Sequence, residues 1–140
     1  MQTHCAQLRQ EHKVRVLVLR AETLGQAQPV FSAGFDVNDF DPQAQDNSFF
    51  EQTVDALAAL PQVTIAAVNG SVYGGATDLV LACDLRVGLA DAVFRMPACA
   101  LGLHYYPHGL QRFVRVLGPD LSKQLFLSAQ AISFQRLYDL

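Results

Sequence analysis

The sequence predicts an α/β fold, and three observations carry that prediction. Short β-branched runs, Val14–Leu19 and Val63–Val68, alternate with stretches whose apolar residues recur at helical spacing, such as Phe49–Leu60 and Ala76–Cys83. Glycine and proline fall at the joins, as at Asn69-Gly70, Gly74-Gly75 and Gly118-Pro119. Hydrophobic residues make up 51% and charged residues 16% of 140, enough for the core of one domain and far from a disordered composition.

Met1–Lys13 is mostly polar and reads as a weakly amphipathic helix with His4 and His12 on its solvated side. Val14–Leu19 follows as a buried strand. Ala21–Pro29 holds Gly and Pro and reads as loop. In Phe31–Asp36 (FSAGFD) an isolated glycine marks a bulge or turn, and that opening could also aim the Phe35 N–H at a ligand. Asp36–Asp41 is acidic and Pro42–Asn47 polar without periodicity, the pattern of a mobile surface loop. The helix over Phe49–Leu60 has Asn47 or Ser48 as candidate caps and ends at Pro61.

Past residue 84, Leu85–Leu89 and Asp91–Met96 read as short strands, and Pro97–Leu103 as an apolar passage of small residues. His104-Tyr105-Tyr106-Pro107-His108 is chemically rich: it suits a pocket wall, and equally a helix start packed on a core. A helix over Gln111–Leu117 stops at Gly118-Pro119, a second runs over Asp120–Ala129, and Ser133–Leu140 begins another.

Charge and cysteine usage exclude several function classes. The formal net charge is −3 with no basic run, which argues against nucleic acid as a partner. No uninterrupted apolar run approaches the roughly 20 residues that span a membrane, and the polar N-terminus is unlike a signal peptide. Cys5, Cys83 and Cys99 are odd in number and widely spaced, so buried free thiols in a reducing cytoplasm are the expectation, with no metal site.

The organising stretch is Val63–Asp84: strand, glycine turn, helix. Glycine at a helix start lets foreign atoms come close to the backbone, and the first N–H groups there lack an internal partner. Gly75 N–H is therefore a candidate donor to an oxygen that becomes anionic, and Asp78, three residues on, shares its helix face. The same unit serves plain helix–strand packing, with Asp78 as a charge that complements the helix dipole.

Gly34-Phe35 and Gly74-Gly75 stand about forty residues apart, each after a strand, each able to offer one backbone N–H. Two such groups converging on one thioester oxygen form an oxyanion hole. This pairing resembles the crotonase, or enoyl-CoA hydratase/isomerase, family. FSAGFD is similar to its first oxyanion segment, AAVNGSVYGGATDLVLACDLRV to its second, and FRMPACALGL followed by GLQRFVRVLG to the stretch carrying its second catalytic position. The resemblance covers roughly residues 10–140 and implies a spiral of ββα units binding coenzyme A as part of an acyl-CoA substrate, with no separate cofactor. Family members run to about twice this length. Residues 1–140 are thus expected to be a partial crotonase-like domain without the opening strands and the C-terminal helices that close the acyl pocket. A missing wall exposes an apolar patch. The full-length form is expected to be a cytoplasmic homo-oligomer, a trimer or dimer of trimers, in fatty acid metabolism.

Carried over by motif, the oxyanion donors fall on Phe35 and Gly75, and contacts to the adenine and pantetheine on Ser32, Ala33 and Phe35, with Gly74 and His104 also lining the substrate site. The first catalytic glutamate of the hydratases falls on Asp78, one methylene shorter, and the second on Ala98, which moves no proton. Tyr106 stands where the dehalogenase branch has its aspartate nucleophile. The methylmalonyl-CoA decarboxylase branch is similar in SVYGGATDL, in FRM and around Gly102–Tyr105, and has a tyrosine aligning with Tyr105; it has histidine where this chain has Phe35. The resemblance thus implies a lyase that stabilises a thioester enolate, a decarboxylase rather than a hydratase, with Tyr105, His104 or His108 orienting the leaving carboxylate or protonating the carbanion. The alternatives are hydration through Asp78 and a non-catalytic binding or assembly protein of the same fold.

Overall fold

A computed structural model describes residues 1–35 and 48–139. The acidic and polar segment 36–47 and its capping candidate Asn47 lie outside them.

The chain winds through three similar turns. Helix α1 (Gln2–Gln10) leads in, and each turn then lays one strand in a first sheet, one in a second, and a helix. The first turn is β1 (Val16–Arg20), β2 (Val30–Ser32) and α2 (Ser48–Ala58). The second is β3 (Val63–Val68), β4 (Ser71–Tyr73) and α3 (Gly75–Ala82). The third is β5 (Leu85–Gly88), β6 (Val93–Arg95) and α4 (Pro107–Ser128), with a 3-10 turn at Cys99–Leu101 before the helix. The first sheet is parallel, in the order β1-β3-β5. The second has the order β2-β4-β6-β7, where β7 is Ile132–Ser133, and is parallel up to β6. This is the ββα spiral that the resemblance implies.

Local chemistry holds successive turns in register. Asn69, in the corner between β3 and β4, accepts from the Ala21 N–H and donates to the Ala21 carbonyl, clipping the exit of β1 to the exit of β3. At the other end of β3, the Asp84 carboxylate accepts from both the N–H and the hydroxyl of Thr64, at 2.7 and 2.8 Å. These bonds hold the Asp84 carboxyl below the usual carboxylate range, the backbone donor contributing most. The core between sheets and helices is built on Phe94, Phe113, Phe134, Leu57, Leu81 and Met96, all fully buried.

Three expectations are corrected. Strand β1 is not buried on both faces: Leu17 and Leu19 pack on the core, while Val16 and Val18 are exposed. With Val63, Leu85 and Val87 they form one open apolar face of the first sheet, since Val16 pairs with Val63 and Ile65 with Leu85. The stretch after Ala129 does not open as a helix at Ser133. Ile132–Ser133 pairs antiparallel with β6, and a short 3-10 turn, Phe134–Leu137, follows. Burial of Ile132 and Phe134, with the Phe134 N–H bonded to the Ala92 carbonyl, outweighs the local helical pattern. Cys99 is exposed on its 3-10 turn, whereas Cys5 and Cys83 are buried. Burial pushes the Cys83 thiol up to about 11.

Gly118 breaks α4 as its Gly-Pro signal predicts, with φ 76° and ψ 165° between two helical stretches. The first of these begins at Pro107, earlier than Gln111, because proline is pre-set for the first helical position. No helix among the described residues is long and apolar enough to cross a membrane.

Candidate active site

The parallel pairing of β2 with β4 carries the two glycine segments out of the second sheet side by side. Gly34 has φ +94°, and a Cβ built on it lies 2.7 Å from the Tyr73 carbonyl oxygen and 2.9 Å from the Gly75 nitrogen. Only glycine fits there, and the backbone at 34 consequently lies against the backbone at 75. Ser32 closes the approach by accepting the Gly34 N–H on its hydroxyl. Across the junction, the Gly74 N–H is held by the Arg95 carbonyl of β6 at 2.9 Å. Gly75 stands at the first position of α3, where its N–H has no carbonyl behind it in the helix. Ala33 and Phe35 are exposed beside this junction.

Asp78 lies one turn into α3 and is fully buried. Its carboxylate accepts from three donors: Tyr105 Oη at 3.0 Å, Tyr106 Oη, and Arg112 Nη1 at 2.7 Å. The other fork of Arg112 reaches Asp55 Oδ1 on α2 at 2.6 Å. His108 Nδ1 lies 3.0 Å from Asp55 and 3.2 Å from Glu51. One polar chain thus ties α2, α3 and α4 together through Glu51, Asp55, Arg112 and Asp78.

Burial pushes both phenols well above their ordinary range, and the Asp78 charge adds to it. For Arg112, burial works against the charge, but the hydrogen bond and charge of Asp78 outweigh it and raise the guanidinium further. The two phenols are thus held as hydroxyls and the guanidinium as a cation, all three directed at the Asp78 carboxyl group. Three donors take up most of the acceptor capacity of this carboxylate, and proton abstraction from water would compete with those bonds.

Tyr105 is seated as a core residue, its ring against Phe113 and Phe126 at centroid distances of 6.2 and 5.4 Å. Tyr106 leans toward the glycine junction through Phe50, 6.2 Å away, and Phe50 in turn meets Phe35. His104 is exposed. Ala98, buried at the N-terminus of the 3-10 turn, brings no titratable group. Glu51, Asp55 and His108 place one ligand atom each within 4.8 Å of one another. Arg112 already compensates Asp55 there, so the trio reads as an ion-pair cluster.

Sequence reasoning brought Gly34-Phe35, Gly74-Gly75, Asp78 and Tyr105 forward but passed over Arg112, Asp55 and Phe50. A signal was available: Asp78 lies in an otherwise apolar helix, GATDLVLA, and a buried anion requires a cation nearby.

Residues 1–139 match the family model described as enoyl-CoA hydratase/isomerase. The chain is 38% identical over 133 residues to the Bos taurus protein named enoyl-CoA hydratase domain-containing protein 2, mitochondrial, covering 91% of this chain and 44% of that protein. It is 30% identical over 129 residues to methylmalonyl-CoA decarboxylase of Escherichia coli (strain K12), covering 89% and 48%. A crystal structure of methylmalonyl CoA decarboxylase superposes with a TM-score of 0.85 at 29% identity, over 98% of this chain and 52% of that one. The chain therefore spans about half the length of the relatives it matches.

Proposed function

The chain belongs to the enoyl-CoA hydratase/isomerase family, and on that footing we propose that the whole protein acts on an acyl-CoA thioester by holding its enolate oxygen on the Phe35 and Gly75 amides, with decarboxylation as its reaction. The observation that carries this reading is the contact of Gly34 with the Gly75 nitrogen. That closeness supports a reading in which the Phe35 and Gly75 amides, distant in sequence, share one oxygen.

Decarboxylation suits the rest of the site. The bond between Cα and the substrate carboxylate breaks, carbon dioxide leaves, and the electron pair moves onto the thioester oxygen as an enolate. Water then supplies a proton to Cα. A preorganised amide donor of this kind contributes on the order of 3 kcal/mol to lowering such a barrier. No protein carboxylate has to move a proton, which accords with Ala98 and with an Asp78 whose oxygens are engaged. Both forks of Arg112 are engaged too, so a substrate carboxylate finds no ion pair there that would hold it back. Tyr105 acts in this reading by positioning Asp78 and the polar chain.

Water addition is the second reading, favoured by the likeness to a protein named for an enoyl-CoA hydratase domain. It requires Asp78 to leave its partners and serve as base. A panel of enoyl-, malonyl- and methylmalonyl-CoA thioesters on the full-length protein separates the two. Carbon dioxide release supports decarboxylation, and hydration of the enoyl thioester that is lost in Asp78→Asn supports the second reading. No turnover and no affinity for coenzyme A point to a non-catalytic binding or assembly protein. Turnover of the malonyl thioesters unchanged in Tyr105→Phe removes Tyr105 from the mechanism.

A further inference from the structure

We infer that Phe50 is the residue that limits the length of the acyl group, making short-chain acyl thioesters the substrate class; this rests on the thioester reading above. Phe50 lies in the first turn of α2, and its ring is seated directly over the glycine junction. A Cβ built on Gly75 lies 2.7 Å from Phe50 Cζ and 3.1 Å from Cε1 and Cε2, so the tip of the ring rests on the space that Gly75 leaves open. Phe35 and Tyr106 flank the ring edge-on, each with its centroid 6.2 Å away, at interplanar angles of 75° and 74°. The three rings form one aromatic row from the first glycine segment to the start of α4.

A thioester whose oxygen lies on the Gly75 N–H has its acyl group close to Gly75, and in this proposal the chain runs past the side chain packed against the Gly75 Cα. Among the described residues that is the Phe50 ring. A short acyl group ends before it. A long straight chain has to displace it from between Phe35 and Tyr106, losing both edge-on contacts. Asp78, Tyr105, Tyr106 and Arg112 are joined by hydrogen bonds in which the Phe50 ring takes no part, so its size can be changed without removing a member of the polar chain.

Calorimetric titration of the full-length protein with coenzyme A, acetyl-CoA, butyryl-CoA and octanoyl-CoA tests this. In the unaltered protein octanoyl-CoA is expected to bind about tenfold or more weaker than acetyl-CoA, since a misfit of a methylene or more in an apolar pocket is worth roughly 10–200-fold. Phe50→Ala is expected to tighten octanoyl-CoA by about tenfold or more and leave coenzyme A within about twofold, with Phe50→Leu in between. Phe50→Leu keeps an apolar filler in α2 and decides the matter if Phe50→Ala does not fold. Equal binding of acetyl- and octanoyl-CoA by the unaltered protein, or a ratio that neither variant moves, overturns the role of Phe50 and leaves the thioester reading standing. Failure of all four ligands to bind overturns both.

Discussion

Arg112 Nη1 lies 2.7 Å from Asp78 Oδ1, and the two side chains are only 6% and 0% exposed. Asp78, one turn into α3, is thus half of a buried ion pair. Paired burial of this kind adds little net stability, but removing one partner leaves the other charged and desolvated. Arg112→Met is therefore expected to cost about 3–5 kcal/mol in urea unfolding. Adding Asp78→Asn, which removes the orphaned charge and keeps an acceptor for the two tyrosines, is expected to restore a large part of that. A loss below about 1 kcal/mol in the single variant would match an exposed pair and contradict the geometry.

Gly34→Ala meets two penalties at once. The backbone has φ +94°, and the new Cβ would lie 2.7 Å from one backbone atom and 2.9 Å from another, neither of which can rotate away. Gly25→Ala is the control, with φ +80° and nothing within 4 Å. The control is expected to lose about 1–2 kcal/mol from strain alone, and Gly34→Ala to lose clearly more. In thioester titrations Gly34→Ala is expected to weaken acyl-CoA, while Gly25→Ala leaves it unchanged.

The Asp84 carboxylate gives a pH dependence with a definite sign. Its two bonds from Thr64 lower the folded-state pKa below the unfolded value of 3.8. The stability they contribute is therefore present above pH 3.8 and lost as pH falls through the lower folded value. Asp84 is exposed, so the effect is modest. Urea midpoints of Asp84→Asn are expected to be lower than those of the unaltered protein at neutral pH, and to fall less steeply below pH 3.8. Parallel curves for the two proteins would rule out this assignment.

Much of the fold and of the glycine junction is legible in the sequence, because both rest on local chemistry. The strand–turn–helix around Gly74-Gly75 is written in a β-branched run, a glycine pair and a helical apolar period, and it forms as Val63–Val68, Ser71–Tyr73 and Gly75–Ala82. What the sequence hides is long-range pairing. Arg112 and Asp55 look like ordinary charges on amphipathic helices, and only the packing of α2, α3 and α4 joins them to Asp78. Phe50 looks like one more core aromatic until α2 lays its ring on Gly75. Strand β1 reads as buried because its valines and leucines do not reveal that one face of the first sheet stays open. Ile132 and Phe134 carry the opposite lesson, since a helical pattern yields to pairing with β6.

The most direct test is the infrared carbonyl stretch of an acyl-CoA labelled with carbon-13 at the thioester carbon, bound to the full-length protein. Two amide donors on one oxygen polarise the C=O bond, so the band is expected to move to lower frequency on binding and to return toward the free value in Gly34→Ala. A thioester that binds tightly with its carbonyl stretch at the free frequency would mean that the Phe35 and Gly75 amides do not meet its oxygen.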